Sequence, residues 1–510
     1  MSEKGFARVT EHDSGAEAPM NPFHVDQMMD KANWAAREFG MFDHDSVLRI
    51  ARAAADTGFD KAGHFAERAV AETGFGNADH KKMKNELCSR GMYDYYKDTQ
   101  FSGYRIDEPR KIVEIAKPAG VIFALTPSTN PVSTVYYKIM CALLTRNAVI
   151  VSPHPAAKDC CTAAALHLAQ AAEAAGAPEG VIQVLTQPTL PVIEHAMSSS
   201  KINVILATGG TAMVRAAYSS GSPAIGVGPG NCPALVDATA DVARAAKLIT
   251  DSKSFDHSVL CTNESAIIVE ESVSSRLASE LERQGCHVCL DEERDAVEQY
   301  LFEGDRFNLA AIGKPASWIA REAGIKVKTS TKVLVVPLAR IGDDYPLSGE
   351  KLCPVLGLYT VPHAKAGIAA CCSMVRRNGG GHSAAIHSAN SDTILKFGAA
   401  ISVLRVVVND GCSIGASGFT THLTPTMTVG TGFFGRSSVG ENVGPQHLVN
   451  WTRVAYPTTA TAFPNFEGLS LYDDAVAHQP EQPRQSSLDQ GLREQIRKII
   501  IEELRHVART

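Results

Sequence analysis

INVILATGGTAMVRAAYS, residues 202–219, decides how this chain folds. Its first part, Ile202-Asn203-Val204-Ile205-Leu206, is a short apolar, β-branched run of the kind used by a strand buried on both faces. Ala207-Thr208-Gly209-Gly210-Thr211 turns the chain, and the Ala-containing stretch at 211–219 reads as a helix. Closely spaced glycines between a strand and a helix let backbone amides approach an anion at the helix start. The cluster is neither a G-x-G-x-x-G fingerprint nor a Walker A sequence, and a turn that serves packing alone has the same composition.

Upstream the same unit recurs. The runs Val121-Ile122-Phe123-Ala124, Ala148-Val149-Ile150-Val151 and Val181-Ile182-Gln183-Val184-Leu185 alternate with helical stretches at 132–145, 156–175 and 190–198. A parallel sheet requires this alternation, because each crossover helix passes over a sheet face. Nucleotide binding at the C-terminal strand edges is then the default expectation. Two polar, Pro-bounded loops end strands at that edge, Thr126-Pro127-Ser128-Thr129-Asn130-Pro131 and Ser152-Pro153-His154-Pro155, and together they can form one wall of a cofactor site. Proline at a helix start also has a purely conformational use. Gly226-Val227-Gly228-Pro229-Gly230-Asn231 is glycine-dense, but no long helix follows, so it reads as a loop pressed against a ligand.

A second α/β unit is expected from about residue 264, with strands at Ala266–Val269, Val333–Val336, Val355–Tyr359 and Val403–Val408 and helices at 272–284, 292–301 and 362–376. Cys261 stands just before it, at the junction of the two units, where small-molecule clefts form. At the other end, Val25 to Asp98 has a helical pattern with breaks expected at Gly40, Gly58 and Gly74. Asn77 is read as the cap of a helix carrying Met83, Leu87, Met92 and Tyr95 as core residues.

A formal net charge of -6 over 510 residues, with no strongly basic segment, argues against a nucleic-acid partner. No apolar run reaches the length of a membrane span, and the first residues lack a secretory apolar core, so an intracellular protein without a membrane association is expected. The scattered cysteines do not look like a disulfide framework. No metal site is expected: there is no H-E-x-x-H, and Cys286-His287-Val288-Cys289 lacks a second close pair. No G-x-S-x-G elbow supports a serine esterase.

The stretch 119–160, the run ILATGGTAMVRAAYSSGSPAIGVGPGN at 205–231, SKSFDHSVLCTNES at 252–265 and SSVGENVGPQHLVN at 437–450 occur in an order that resembles the CoA-acylating aldehyde dehydrogenases. That family includes one half of the bifunctional aldehyde-alcohol dehydrogenases and the acylating enzymes of bacterial microcompartments. The resemblance spans roughly residues 25–456. It implies the α/β fold of the aldehyde dehydrogenase superfamily, with a Rossmann-like cofactor domain, a catalytic α/β domain and a small β oligomerisation element. The implied divisions are a flexible N-terminus (1–20), the cofactor-binding domain with its helical preamble and oligomerisation strands near 104–118 (21–258), the catalytic domain (259–436), a return and oligomerisation segment (437–461), a linker (462–487) and an amphipathic helical tail (488–510).

The resemblance makes Cys261 the nucleophile. A thiolate adds to an aldehyde to give a thiohemiacetal, hydride loss leaves a thioester, and the thiol of CoA can take the acyl group. The oxyanion needs donors. Hydrolytic relatives use an asparagine whose gapless counterpart here is Thr129, so Asn130, displaced by one position, is the candidate beside the Cys261 amide. His382 in Gly380-Gly381-His382-Ser383 matches a histidine suited to proton exchange, and His257 is a weaker alternative base. Glu350 aligns with the glutamate that holds the nicotinamide ribose. Thr126, Pro127, Ser152, His154, Gly209, Thr211, Gly228 and Gly230 complete the expected cofactor contacts. NAD is the implied cofactor, with NADP possible because Ser152 and His154 occupy the segment where relatives place a lysine.

One departure sets the direction of the chemistry. Hydrolytic relatives activate water with a glutamate, and Val227 stands at that position here. Valine accepts no proton, which favours a thioester that survives until CoA arrives. The rival readings are a hydrolytic aldehyde dehydrogenase, an acyl-phosphate reductase, and an inactive structural or binding protein of a microcompartment. A homodimer or dimer of dimers is implied. In the tail, Leu488, Leu492, Ile496, Ile500 and Leu504 recur every four residues behind a Pro-rich tether, and Ser487 with Gln490 fits a capping box. The tail resembles the peptides that dock acylating enzymes onto microcompartment shell or core proteins, which implies cytoplasmic residence inside a microcompartment and propionaldehyde or acetaldehyde as substrate.

Overall fold

The computed structural model describes residues 20–342, 345–466 and 468–471. Residues 1–19 of the flexible N-terminus expected at 1–20, most of the linker and the whole tail at 488–510 lie outside the described residues. The chain divides into two units, 1–463 and 464–510, and the following concerns the first.

Four helices lead: α1 (Pro22–Phe39), α2 (His44–Asp60), α3 (Ala62–Thr73) and α4 (Ala78–Glu86), the last passing through a π turn at Leu87–Gly91 into α5 (Met92–Tyr96). Asn77 caps α4 by accepting the His80 N–H. Gly58 does not break α2. A Cβ there would stand 2.8 Å from that of Ser89, so the glycine lets the π turn lie against α2. Met92 is buried as expected, whereas Met83 and Tyr95 face outward.

The hairpin β1 (Tyr104–Asp107) and β2 (Ile112–Pro118) leads into five strands joined by helices: β3 (Val121–Leu125), α6 (Pro131–Leu144), β4 (Ala148–Ser152), α7 (Lys158–Ala174), β5 (Ile182–Val184), α8 (Leu190–Ser198), β6 (Val204–Thr208), α9 (Thr211–Ser219) and β7 (Ala224–Val227). All five are parallel in the order β5-β4-β3-β6-β7. The chain moves outward from β3 and then returns to its other side, so the crevice of this sheet opens above the ends of β3 and β6. α6 is buried on every face, Lys138 included, and the Lys138 side-chain nitrogen donates to the carbonyls of Leu125 (2.5 Å) and Leu206 (2.7 Å) at those strand ends.

A second sheet holds β8 (Cys232–Val236), followed by α10 (Val242–Ser254), then β9 (Glu264–Glu270) and β10 (Cys286–Val288). After a small hairpin, β11 (Phe302–Glu303) and β12 (Arg306–Phe307), come β13 (Val333–Pro337), β14 (Val355–Val361), β15 (Ser383–His387) and β16 (Arg405–Val408). Its order is β10-β13-β14-β9-β8-β15-β16, parallel throughout. The boundary expected at 258/259 therefore moves: β8 lies between β9 and β15, so the second sheet begins at Cys232. β8 and β15 are uniformly buried runs without alternation, which periodicity does not separate from other core segments. The strand expected at Val403–Val408 starts at Arg405.

β17 (Val449–Ala455) returns to pair antiparallel with β2, with Trp451 opposite Ala116. The three-stranded sheet β1-β2-β17 thus joins the strands expected near 104–118 to the segment expected at 437–461. Among the described residues, no helix is long and apolar enough to cross a membrane.

Candidate active site

A cleft of about 520 Å³ runs along the C-terminal edge of the first sheet to Cys261. Its wall takes in every residue expected at the site except Gly230 and His382. Thr126, Pro127 and Asn130 follow β3, Ser152 and His154 follow β4, Gly209 and Thr211 follow β6, and Gly228 follows β7. Gly228 to Asn231 is the crossover from the first sheet to the second, which explains why no helix follows this glycine-rich loop.

The cofactor half fits a dinucleotide. Gly210 caps α9, a Cβ on Gly210 or Gly228 would meet nothing within 4 Å, and Thr211 opens the helix. A helix start bare of side chains offers free N–H groups and a positive dipole end to phosphate. Ser152 Oγ is buried without a protein partner, a hydroxyl a ligand would satisfy. His154 Nδ1 accepts the Ala156 N–H and so shapes the loop after β4.

Cys261 is half-buried, and burial, Glu350 and Cys232 together push its thiol well above the ordinary range. Among the described residues, Glu350 is the only carboxylate lining the cleft. Burial raises its pKa to about 7, although the Gly230 N–H donates to its Oε1 at 3.4 Å. Val227 ends β7 on the same wall, almost fully covered.

Gly230 stands behind this wall. A Cβ there would collide with the carbonyl of Cys261 and lie 3.0 Å from His382 Nδ1. His382 therefore does not line the cleft. It is fully buried, its Nδ1 faces Cys232 Sγ at 3.8 Å, and burial with Arg405 lowers its pKa to about 3, leaving a neutral ring. The structure thus sets His382, expected to exchange protons at the site, behind Gly230 rather than on the cleft wall. His257 lines a different cavity of about 530 Å³ with His80, Asp251, Phe255 and Lys332, so it is not a base for Cys261.

A buried ionic cluster beside Asn130 was not expected from residue order. Asp256 Oδ2 accepts both Lys81 (3.0 Å) and Lys84, and Lys84 also donates to Asn130 Oδ1. The lysines belong to α4, a strongly polar helix that composition alone puts at the surface. The available signal was their spacing of three, which sets both on one helix face. At β10, the described residues also hold one group with metal-ligand atoms within 4.8 Å, His287, Cys289 and Glu293. There the Glu293 carboxylate already accepts His287 Nε2 (2.9 Å) and the Leu290 N–H (2.9 Å).

The aldehyde dehydrogenase family model matches residues 7–296. The bifunctional aldehyde-alcohol dehydrogenase of Escherichia coli (strain K12) is 36% identical over 444 residues, covering 86% of this chain and 50% of that protein. The chain thus spans about half the length of the aldehyde-alcohol dehydrogenases it matches. An acetylating aldehyde dehydrogenase from Geobacillus thermoglucosidasius has a similar structure, with a TM-score of 0.84 and 36% identity over 86% of this chain and 98% of that one. A propionaldehyde dehydrogenase from the Clostridium phytofermentans fucose utilisation bacterial microcompartment gives 0.77 and 27%, covering 85% and 97%.

Proposed function

This chain belongs to the aldehyde dehydrogenase family, and we propose that it oxidises a short-chain aldehyde with NAD and passes the acyl group from Cys261 to CoA. The observation that carries the reading is the wall beside Cys261: Val227 closes one side, and Glu350, the only carboxylate there among the described residues, accepts the Gly230 N–H. Valine accepts no proton, and in this reading Glu350 is taken up by the ribose hydroxyls rather than by water.

In this reading the Cys261 thiolate adds to the aldehyde carbon, with Asn130 and the Cys261 N–H as oxyanion donors. Bound NAD supplies the hydride acceptor. Thr126, Pro127, Ser152, His154, Gly209, Thr211 and Gly228 shape its seat, with the Thr211 helix start facing phosphate and Glu350, held from behind by Gly230, accepting ribose hydroxyls. The thioester left on Cys261 is opened by the CoA thiol. Because Cys261 is held above the ordinary thiol range, positive charge brought into the cleft favours its ionisation.

The finer reading takes propionaldehyde or acetaldehyde as substrate, in line with the names of the acetylating and propionaldehyde enzymes it resembles. It assigns residues 488–510 as the peptide that docks the enzyme in a bacterial microcompartment, and the outward-facing strands β1-β2-β17 as the seam of a homodimer or dimer of dimers. The decisive assay follows NADH and acyl-CoA from propionaldehyde with and without CoA. CoA-dependent acyl-CoA formation is expected. Equal NADH with free acid as the sole product would instead identify a hydrolytic enzyme, phosphate-dependent turnover an acyl-phosphate reductase, and no turnover a binding protein.

A further inference from the structure

Between α4 and Cys261 lies an ionic cluster that the proposed reaction does not by itself require. Lys81 is 3% exposed, Lys84 1% and Asp256 0%. Asp256 Oδ1 accepts the Asn77 N–H at the start of α4 (2.6 Å), Oδ2 accepts both ammonium groups, and the Asp256 N–H donates to His80 Nδ1 (2.8 Å). Gly76 permits this approach, since a Cβ there would overlap the Asp256 carboxylate. Burial alone would raise the Asp256 pKa, but the two lysines overcome it and keep the carboxyl ionised.

The cluster grips a distorted piece of backbone. Asp256, His257 and Ser258 have φ of 48°, 49° and 66°, three successive non-glycine residues in the left-handed region, ending three residues before Cys261. Such a run costs on the order of 1–3 kcal/mol per residue and persists only where its surroundings impose it.

Burial lowers the Lys84 pKa to about 8, with Asp256 opposing the fall, so Lys84 is an ammonium at neutral pH, and the cluster points at the loop after β3. Lys81 Nζ donates to the Thr129 carbonyl (3.0 Å), and Lys84 Nζ donates to Asn130 Oδ1. An ammonium group only donates, so Lys84 fixes which end of the Asn130 amide is oxygen. Asn130 Nδ2 is thereby turned the other way, donating to the Val259 carbonyl (3.1 Å) and, at longer range, to Thr129 Oγ1 (3.3 Å). Val259 is two residues from Cys261, and Asn130, Val259 and Cys261 share the cleft wall.

We propose that buried Lys84, anchored on Asp256, is the positioning residue that orients the Asn130 carboxamide with its N–H toward the oxyanion formed on the Cys261 adduct. Addition of the Cys261 thiolate to the carbonyl carbon forms the C–S bond and moves the C=O π pair onto oxygen. That oxygen takes the Asn130 N–H now spent on Thr129 Oγ1. A positive charge on Oδ1 polarises the amide and strengthens the donor at its other end. The arrangement is suited to function more than to stability, because a buried ion pair gains little over apolar packing. The inference rests on Cys261 being the nucleophile of the proposed reaction.

The test uses the full chain with propionaldehyde, NAD and CoA, and compares Lys84→Met, Asn130→Ala, the double variant and Asn130→Asp. Lys84→Met leaves Lys81 to pair with Asp256. Its kcat/KM for aldehyde is expected to fall about 10-fold or more, and that of Asn130→Ala about 100-fold. The double variant should be no worse than Asn130→Ala, the signature of one residue acting through the other. The rate of iodoacetamide alkylation at Cys261, read by mass spectrometry, builds no oxyanion and should stay within about twofold throughout. Asn130→Asp keeps the shape and a partner for Lys84 but loses the donor, so it should lose turnover while alkylation persists; this arm decides the matter if Lys84→Met does not fold. Multiplying losses, alkylation falling in step with turnover, or full turnover in Asn130→Asp would overturn the proposal in an active wild-type background. Absence of CoA-dependent turnover in the wild-type enzyme removes the functional reading itself, and this inference with it.

Discussion

The carbonyl of Cys261 occupies the space a Cβ on Gly230 would need, so these two residues pack backbone to backbone where the chain crosses from one sheet to the other. Gly230 also donates its N–H to Glu350. One residue without a side chain thereby sets the height of the nucleophile and the place of the cleft's carboxylate.

Gly230→Ala is expected to displace Cys261, with a stability loss of about 1–3 kcal/mol from overpacking and a fall in kcat well beyond it. Gly398→Ala is the control: it lies exposed in the helix Ser391–Ala400, a Cβ there meets nothing within 4 Å, and activity should be unchanged. Thermal unfolding and steady-state kinetics of both variants check this. Normal turnover in Gly230→Ala would show that the close packing has no role in the reaction.

Glu350 predicts a pH dependence of cofactor binding. With its pKa raised to about 7, the carboxylate proposed to accept ribose hydroxyls is present above that value and lost below it. At pH 6 only about a tenth remains ionised, so KM for NAD should rise up to about tenfold between pH 8 and 6. Glu350→Gln should raise KM at pH 8 and flatten the profile. A flat wild-type profile would count against a ribose contact.

Val227→Glu restores a carboxylate at the end of β7. The expected outcome is CoA-independent free-acid formation, increased about tenfold or more, with a matching loss of acyl-CoA yield. Product analysis by chromatography decides it. If free acid stays at the wild-type level, the valine is not what protects the thioester.

Cys261→Ala should abolish both NADH and acyl-CoA formation while leaving thermal unfolding near that of the wild-type protein, since the thiol is only half-buried. Residual turnover above about one thousandth would point to another nucleophile.

Deletion of residues 485–510 should leave kcat/KM in solution unchanged and abolish co-purification with microcompartments. Undiminished packaging would remove the docking role of the tail.

Much of the architecture is legible in residue order. β3, β4, α8 and α9 fall within a residue or two of where periodicity and turn residues put them, because each is a local pattern bounded by Gly, Pro or a polar loop. The cleft residues were legible for a related reason: they follow strands, and the strand ends of a parallel sheet lie at one edge. The position of Gly58 was not, since a glycine that admits a neighbouring turn looks the same as one that ends a helix.

The sequence by itself determined a parallel α/β chain, offered Cys261 as the candidate nucleophile near the border of its two halves, and put a valine where hydrolytic relatives carry a glutamate. Only the tertiary structure decided that β8 belongs to the second sheet, that His382 is a neutral ring behind Gly230, and that Lys81, Lys84 and Asp256 are buried beside Cys261. These depend on which distant segments remove water from a side chain. Burial of that kind turns an ordinary histidine neutral and draws the pKa of Lys84 down to about 8 while Asp256 works to hold its proton, and no local pattern encodes it.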